Sequence, residues 1–358
     1  MKGRLKTGLV VLAALFVSCQ TTRGGSNAET TQAVFDTYGF KPIPDSGVYW
    51  TAVEDSPFHG GGSNDRITAI VYGGGRFVAV GLYEDGSNWE GEMAYSADGV
   101  IWTKVKDNKL GYAEAFAYGG GKFVAGSKGG KIAYSTDGVT WTAVEDSTFS
   151  NQDNITRLFY GGGTFFAYSG YPAGKKDKTA YSTDGVTWTA VKDSAFGGSD
   201  SIHTITYGGG RFVAGGGYND RGVWRGKMAY SDDGVTWSRV DDNEFIRSAL
   251  IETLAYGGGK FVAGNNGRVG QFAYSDDGTT WTAVEGAFGN GISVIVYDGS
   301  RFVAACWNGT VALSADGVTW TTGENINLGG SVRDIAYGGG RFVAVGNQGK
   351  IAYFNMQE

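Results

Sequence analysis

Tyr72-Gly73-Gly74-Gly75-Arg76-Phe77-Val78-Ala79 organises this chain, because it recurs. The same element, with Arg or Lys in fifth place, begins again at Tyr118, Tyr207, Tyr256 and Tyr337. Variants begin at Tyr160 and Tyr297, which makes seven copies spaced 40 to 49 residues apart. A second element, Ser-x-Asp-Gly-x-x-Trp, ends at Trp102, Trp141, Trp188, Trp237, Trp281 and Trp320. A truncated relative, Ser46-Gly47-Val48-Tyr49-Trp50, precedes the first Tyr-Gly-Gly-Gly.

Each unit reads as four short strands. Ile67–Tyr72 is an apolar run, the glycine triplet turns it into Arg76–Val80, and a third run such as Lys131–Tyr134 leads through Ser-x-Asp-Gly into Val139–Val144. Glycine supplies the positive φ of tight hairpins, and Ser and Asp side chains bond the backbone of a turn. Four strands in about 45 residues match the blade of a β-propeller. The expected fold is therefore all-β, a seven-bladed β-propeller with four antiparallel strands per blade. The last unit has three strands, whereas Val48–Val53 is a fourth strand lacking its first three. Their pairing would complete the seventh blade and remove the exposed edges at the seam.

Ser-x-Asp-Gly-x-x-Trp resembles the Asp-box of the bacterial-neuraminidase-type (BNR) repeats found in sialidases and many non-enzymatic propellers. It is one residue shorter between Asp and Gly than the family's Ser-x-Asp-x-Gly-x-x-Trp. The resemblance implies structural turns between third and fourth strands, with each Trp packed between sheets. It does not carry the sialidase site. The Phe/Tyr-Arg-Ile-Pro motif is absent, Asp65-Arg66-Ile67-Thr68 being a faint echo of it, and sialidases have six blades.

The 358 residues include 62 Gly and only 4 Pro, and the net charge is −6. Aromatic residues make up 14% of the chain, enough for a large core. The acidic balance argues against a nucleic-acid partner, which calls for a basic stripe. Two cysteines exclude a disulfide scaffold.

Lys2, Arg4 and Lys6 precede the apolar run Leu9–Val17, a signal peptide over residues 1–18. Leu15-Phe16-Val17-Ser18-Cys19 resembles a bacterial lipobox, which implies lipidation of Cys19. Residues 19–44 then form the lipidated cysteine and a flexible tether, and 45–358 the propeller. The expected location is the bacterial cell envelope, periplasmic or surface, with a lipid anchor in the membrane and a monomeric body. Cys306, within Phe302–Cys306, reads as a buried thiol.

Turns between first and second strands and between third and fourth share one face and are nearly identical. The opposite face carries the loops that vary, where binding residues usually sit. Two of its loops follow Tyr-x-Asp-x-x-x-Trp-x-Gly-x-Met and offer Tyr83, Trp89, Tyr218 and Trp224 for stacking. A third contains Tyr168, Tyr171 and Lys175–Lys178. The other candidate is the mouth of the channel. Four residues before each blade's Tyr stand Thr68, Glu114, Thr156, His203, Glu252, Ser293 and Arg333, with Arg157 and Asp334 beside them. A concave, charged pocket of this kind is the default ligand site.

The expected function is a binding module for a carbohydrate or protein partner. The alternatives are a glycan-processing enzyme (a sialidase-like hydrolase or lyase) and an envelope assembly scaffold. Glu114 and Glu252 fall in blades two and five, too far across the ring for the separation that paired glycosidase carboxylates need. No catalytic residues are assigned. His59 and His203 have no metal-ligand spacing, and no cofactor motif is present.

Overall fold

The computed structural model describes residues 49–60, 62–170, 178–191, 196, 200–241, 244–284, 288, 290–323 and 325–355. The signal peptide, Cys19, the tether, Tyr171 and Lys175–Asp177 lie outside the described residues. Twenty-eight strands form seven four-stranded antiparallel sheets. In blade 1 the strands are Arg66–Gly73, Arg76–Asp85, Asn88–Ser96 and Thr103–Lys104, hydrogen-bonded in that order. Blades 2 to 6 follow with first strands Ala113–Gly119, Ile155–Gly161, Asp200–Gly208, Ile251–Gly257 and Ile292–Tyr297. Blade 7 takes three strands from the C-terminal end, Val332–Gly338, Arg341–Gly346 and Ile351–Asn355, and its fourth, Thr51–Ala52, from the N-terminal side. Thr51 pairs with Tyr353 and Ala52 with Ala352, and Val53 N donates to Ile351 O at 2.8 Å. The ring is a seven-bladed β-propeller sealed by its own N-terminal segment.

Seven apolar clusters hold the ring, one at each blade-to-blade interface. At the interface of blades 5 and 6, for example, Phe272 stacks on Trp320 with ring centroids 3.9 Å apart. Trp102, Trp141, Trp188, Trp281 and Trp320 are buried in such interfaces, and Trp237 is half-buried. Cys306 is buried as well, and burial pushes its thiol up to about 12.

The turn that delivers each Trp has one design. In blade 2, Ser135 Oγ accepts from Gly138 N at 2.8 Å, while Asp137 Oδ1 accepts from Val139 N (2.8 Å) and Thr140 N (2.7 Å). The fourth strands that follow are shorter than the sequence suggests. Thr142–Ala143 is two residues long, not six, because the Asp-centred turn occupies the backbone up to Trp141.

Two further differences concern the connections. The segment before blade 5 contains a short helix, Glu244–Ser248, whose Phe245 and Ile246 are buried. Tyr168 belongs to the strand Thr164–Ser169 and not to a loop. It is 2% exposed, and its hydroxyl donates to Asp200 O at 3.1 Å.

Candidate functional site: the channel mouth

Every first strand carries one irregularity, and it falls at the same place. The pairing register slips between Ile67 and Ala69, Ala113 and Ala115, Ile155 and Arg157, Ile202 and Thr204, Ile251 and Thr253, Ile292 and Val294, and Val332 and Asp334. The extra residues are therefore Thr68, Glu114, Thr156, His203, Glu252, Ser293 and Arg333, the polar positions that the repeat period picks out. A bulge leaves its extra residue outside the ladder and re-aims the side chain. Here all seven side chains line one cavity of about 380 Å³ in the centre of the ring, together with Arg66, Arg157, Asp334 and Trp307.

The residues just after the bulges tie the mouth together across blade boundaries. Thr204 Oγ1 accepts from Leu254 N (3.1 Å), Thr253 Oγ1 from Ile295 N (2.9 Å) and Asp334 Oδ2 from Ile70 N (2.9 Å). Arg157 does the same as a donor, its Nε to His203 O at 2.9 Å, while its NH1 is held by Thr156 O of its own strand at 2.8 Å. The mouth is thus preorganised by bonds that also close the ring.

Its charges are unevenly matched. Glu252 Oε2 lies 3.1 Å from His203 Nδ1 and accepts from Asn266 Nδ2 at 3.1 Å, while Ser201 Oγ meets His203 Nε2 at 3.1 Å. Burial would raise the Glu252 carboxyl, but the His203 and Asn266 bonds and the Arg157 charge hold it below the usual carboxylate range. Asp334 goes the other way. Burial pushes it up to about 7, against two backbone N–H bonds and the Arg157 charge. Burial also lowers the Arg333 guanidinium, and the neighbouring Arg66 charge lowers it further. Among the described residues no carboxylate stands within ion-pair distance of Arg66, Arg157 or Arg333.

The aromatic pairs on the variable face are not brought to this cavity, and they lie on paired strands, not loops. Asp85 pairs with Asn88 and Asp220 with Val223, so each hairpin closes over a two-residue turn. Trp89 lies under the Arg66 guanidinium, 4.7 Å from its carbon to the ring centre. Tyr83 stacks on His59 at 4.0 Å over a separate groove that includes Glu92 and Lys104. Tyr218 is half-buried, and Trp224 is 48% exposed at the hairpin tip.

The sequence reading passed over Trp307 and the groove beside it. Trp307 lies in the turn after Phe302–Cys306 and borders both the mouth and a cavity of about 600 Å³ whose other lining residues include Asn290, Asn308, Asn325, Asn327 and Ser331. Its one signal in the sequence is a density of asparagines around blade 6, spread over three segments.

No family model matches this chain, and no curated protein does. Solved structures do. YCF48 bound to D1 peptide superimposes with a TM-score of 0.61 at 14% identity, covering 88% of this chain and 98% of that one. Streptogramin B lyase gives a TM-score of 0.62 at 12% identity over 87% and 98%. The WD40 β-propeller domain of Doa1 gives 0.58 at 14% identity over 87% and 98%. At these identities the likeness is one of fold, and the shared fold is the β-propeller.

Proposed function

We propose that this protein is an exported, lipid-anchored binding module that takes a carbohydrate or protein partner at the channel mouth. One observation carries the reading: seven independent bulges turn seven polar side chains into one cavity, a costly arrangement for a ring that apolar interfaces already hold. The Arg157, Thr204, Thr253 and Asp334 cross-bonds support it, because preorganised polar groups lose little freedom when a ligand arrives. The YCF48 structure, with its D1 peptide, is in keeping with a propeller serving as a receptor for a protein segment.

The test is direct. Purified protein is screened against arrays of glycans and peptides, and hits are remeasured with Arg157→Gln, His203→Ala and Glu252→Gln. The reading requires at least one ligand whose affinity falls by about tenfold or more in these variants, about 1.4 kcal/mol. Absence of any ligand sensitive to them overturns it. The anchor is tested separately: Cys19→Ala should release the protein from the membrane fraction.

A second reading, a glycan-processing enzyme, draws on Asp334. A carboxyl with a pKa of about 7 inside a cavity is the kind of group that serves as a general acid. Both of its oxygens already accept backbone N–H bonds, from Ile70 and Ile335, which favours a structural role. Turnover of fluorogenic glycosides abolished by Asp334→Asn would reverse the ranking.

A further inference from the structure

Arg66 of blade 1 and Arg333 of blade 7 line the mouth on the two sides of the boundary between the last and the first blade, close enough for the charge of one to act on the other. The backbone of Arg66 bridges to Asn347, and Arg333 Nε donates to Asn347 Oδ1 at 2.9 Å, so one asparagine of blade 7 stands between them. Burial and the Arg66 charge both disfavour the charged Arg333, Glu252 offsets them only in part, and no carboxylate among the described residues is within ion-pair distance of either arginine, so an incoming anion would relieve the repulsion. Each guanidinium also rides on an indole, Arg66 on Trp89 and Arg333 on Trp307, with the latter carbon 5.9 Å from the ring centre. Stacking fixes the plane of the group. A guanidinium has five N–H donors. Arg66 commits NH1 to Asn64 O (3.0 Å) and Arg333 commits Nε to Asn347, which leaves further N–H groups on each for a carboxylate.

Beyond Trp307 the surroundings change character. The adjoining groove has no ionisable lining residue. Asn290, Asn308 and Asn327 each turn Oδ1 toward a local backbone N–H, of Gly291 (2.8 Å), Thr310 (3.1 Å) and Gly329 (3.2 Å). Their Nδ2 groups donate to no acceptor among the described residues. The groove therefore offers amide donors around one edge of an indole. That suits a ligand with many acceptor oxygens and a C–H face, which describes a sugar ring. An extended peptide would need acceptors as well as donors, and pockets for its side chains.

Building on the binding reading above, we infer that the ligand is an acidic oligosaccharide, with a hexuronate carboxylate between Arg66 and Arg333 and neutral sugar rings running over Trp307 into the asparagine groove. Trp307 is the hinge of the site, shared by the charged and the neutral parts.

The experiment is isothermal titration of the purified protein with three probes: glucuronosyl-xylobiose, xylotriose and free glucuronic acid. The acidic trisaccharide should bind at least about tenfold more tightly than either of the others, because each lacks one half of the contact. Arg333→Gln and Arg66→Gln should each reduce its affinity to that of xylotriose. Trp307→Ala should weaken both trisaccharides, with melting temperatures measured alongside to confirm folding. Equal binding of xylotriose and the acidic probe overturns the inference, as does undetectable binding of the acidic probe or indifference to Trp307→Ala. If a peptide binds instead, with loss in Glu252→Gln, the inference falls while the binding-module reading stands.

Discussion

The phenol ring of Tyr118 occupies the space that a side chain on Gly73 would need. The same pairing joins Gly119 to Tyr160, Gly161 to Tyr207, Gly208 to Tyr256, Gly257 to Tyr297 and Gly338 to Tyr72, so each blade's tyrosine covers the preceding blade's first triplet glycine. In blade 6 Asp298 stands at that position, and its Oδ1 closes the turn by accepting from Ser300 N and Arg301 N. In the all-glycine triplets the first glycine allows the close approach of the tyrosine and the next two adopt positive φ, 55° at Gly74 and 79° at Gly75.

Gly73→Ala should accordingly cost roughly 1–3 kcal/mol through overpacking against Tyr118. Tyr118→Ala in the same chain should recover part of that loss, whereas Gly75→Ala, with open space around it, should not respond to Tyr118. Denaturant titration of the three single variants and of the two doubles with Tyr118→Ala measures the coupling. Additive losses for Gly73 and Tyr118 would refute it.

The repeat made the blades, their number and the closure legible, because hairpin glycines and the Asp-centred turn impose local rules that survive in sequence. It also located Glu252 and Arg333, since a fixed distance from each Tyr is a fixed place on a strand. The bulge that turns those side chains inward leaves no mark in the residue types, which range from Thr to Arg. That Arg66 lies over Trp89 was not legible, because an aromatic residue near a hairpin tip looks the same whether it is free or covered. The Trp307 groove is assembled from three connections that belong to no repeat, so no periodicity pointed to it.

Acid should weaken the ring through its six turn carboxylates. Hydrogen bonds from backbone N–H groups hold Asp184 and Asp233 at about 2, and they do the same for Asp137 against the raising effect of its partial burial. A carboxyl depressed in the fold contributes stability that is fully present above its unfolded value of about 4 and is lost as pH falls toward 2. Melting temperature should therefore drop between pH 4 and 2, and Asp137→Ala should flatten part of that slope. An unchanged slope in Asp137→Ala would count against the turn as its source.

Asp334 gives the opposite slope. Its carboxyl is raised to about 7, so its contribution is fully present below about pH 4 and is lost as pH rises to about 7. Relative to Asp334→Asn, the native protein should lose stability over that window and then run parallel to it. A constant difference from pH 4 to 8 would show that the carboxyl does not titrate there.

Val53→Pro removes the donor to Ile351 O at the edge of the closing strand. Its melting temperature should fall, and the uncovered edge of Ile351–Asn355 should promote self-association visible by size-exclusion chromatography. An unaltered elution volume with unaltered melting would show that closure does not depend on this strand.

The closing strand has a mechanical consequence. Whatever holds the chain upstream of residue 49 is joined to the body through Thr51 and Ala52, two residues at the rim of a single sheet. Tension from that side meets first the packing of Trp50 on Phe354 and then a few backbone contacts with Tyr353, Ala352 and Ile351. A sustained pull would peel this latch first and leave six blades intact behind it.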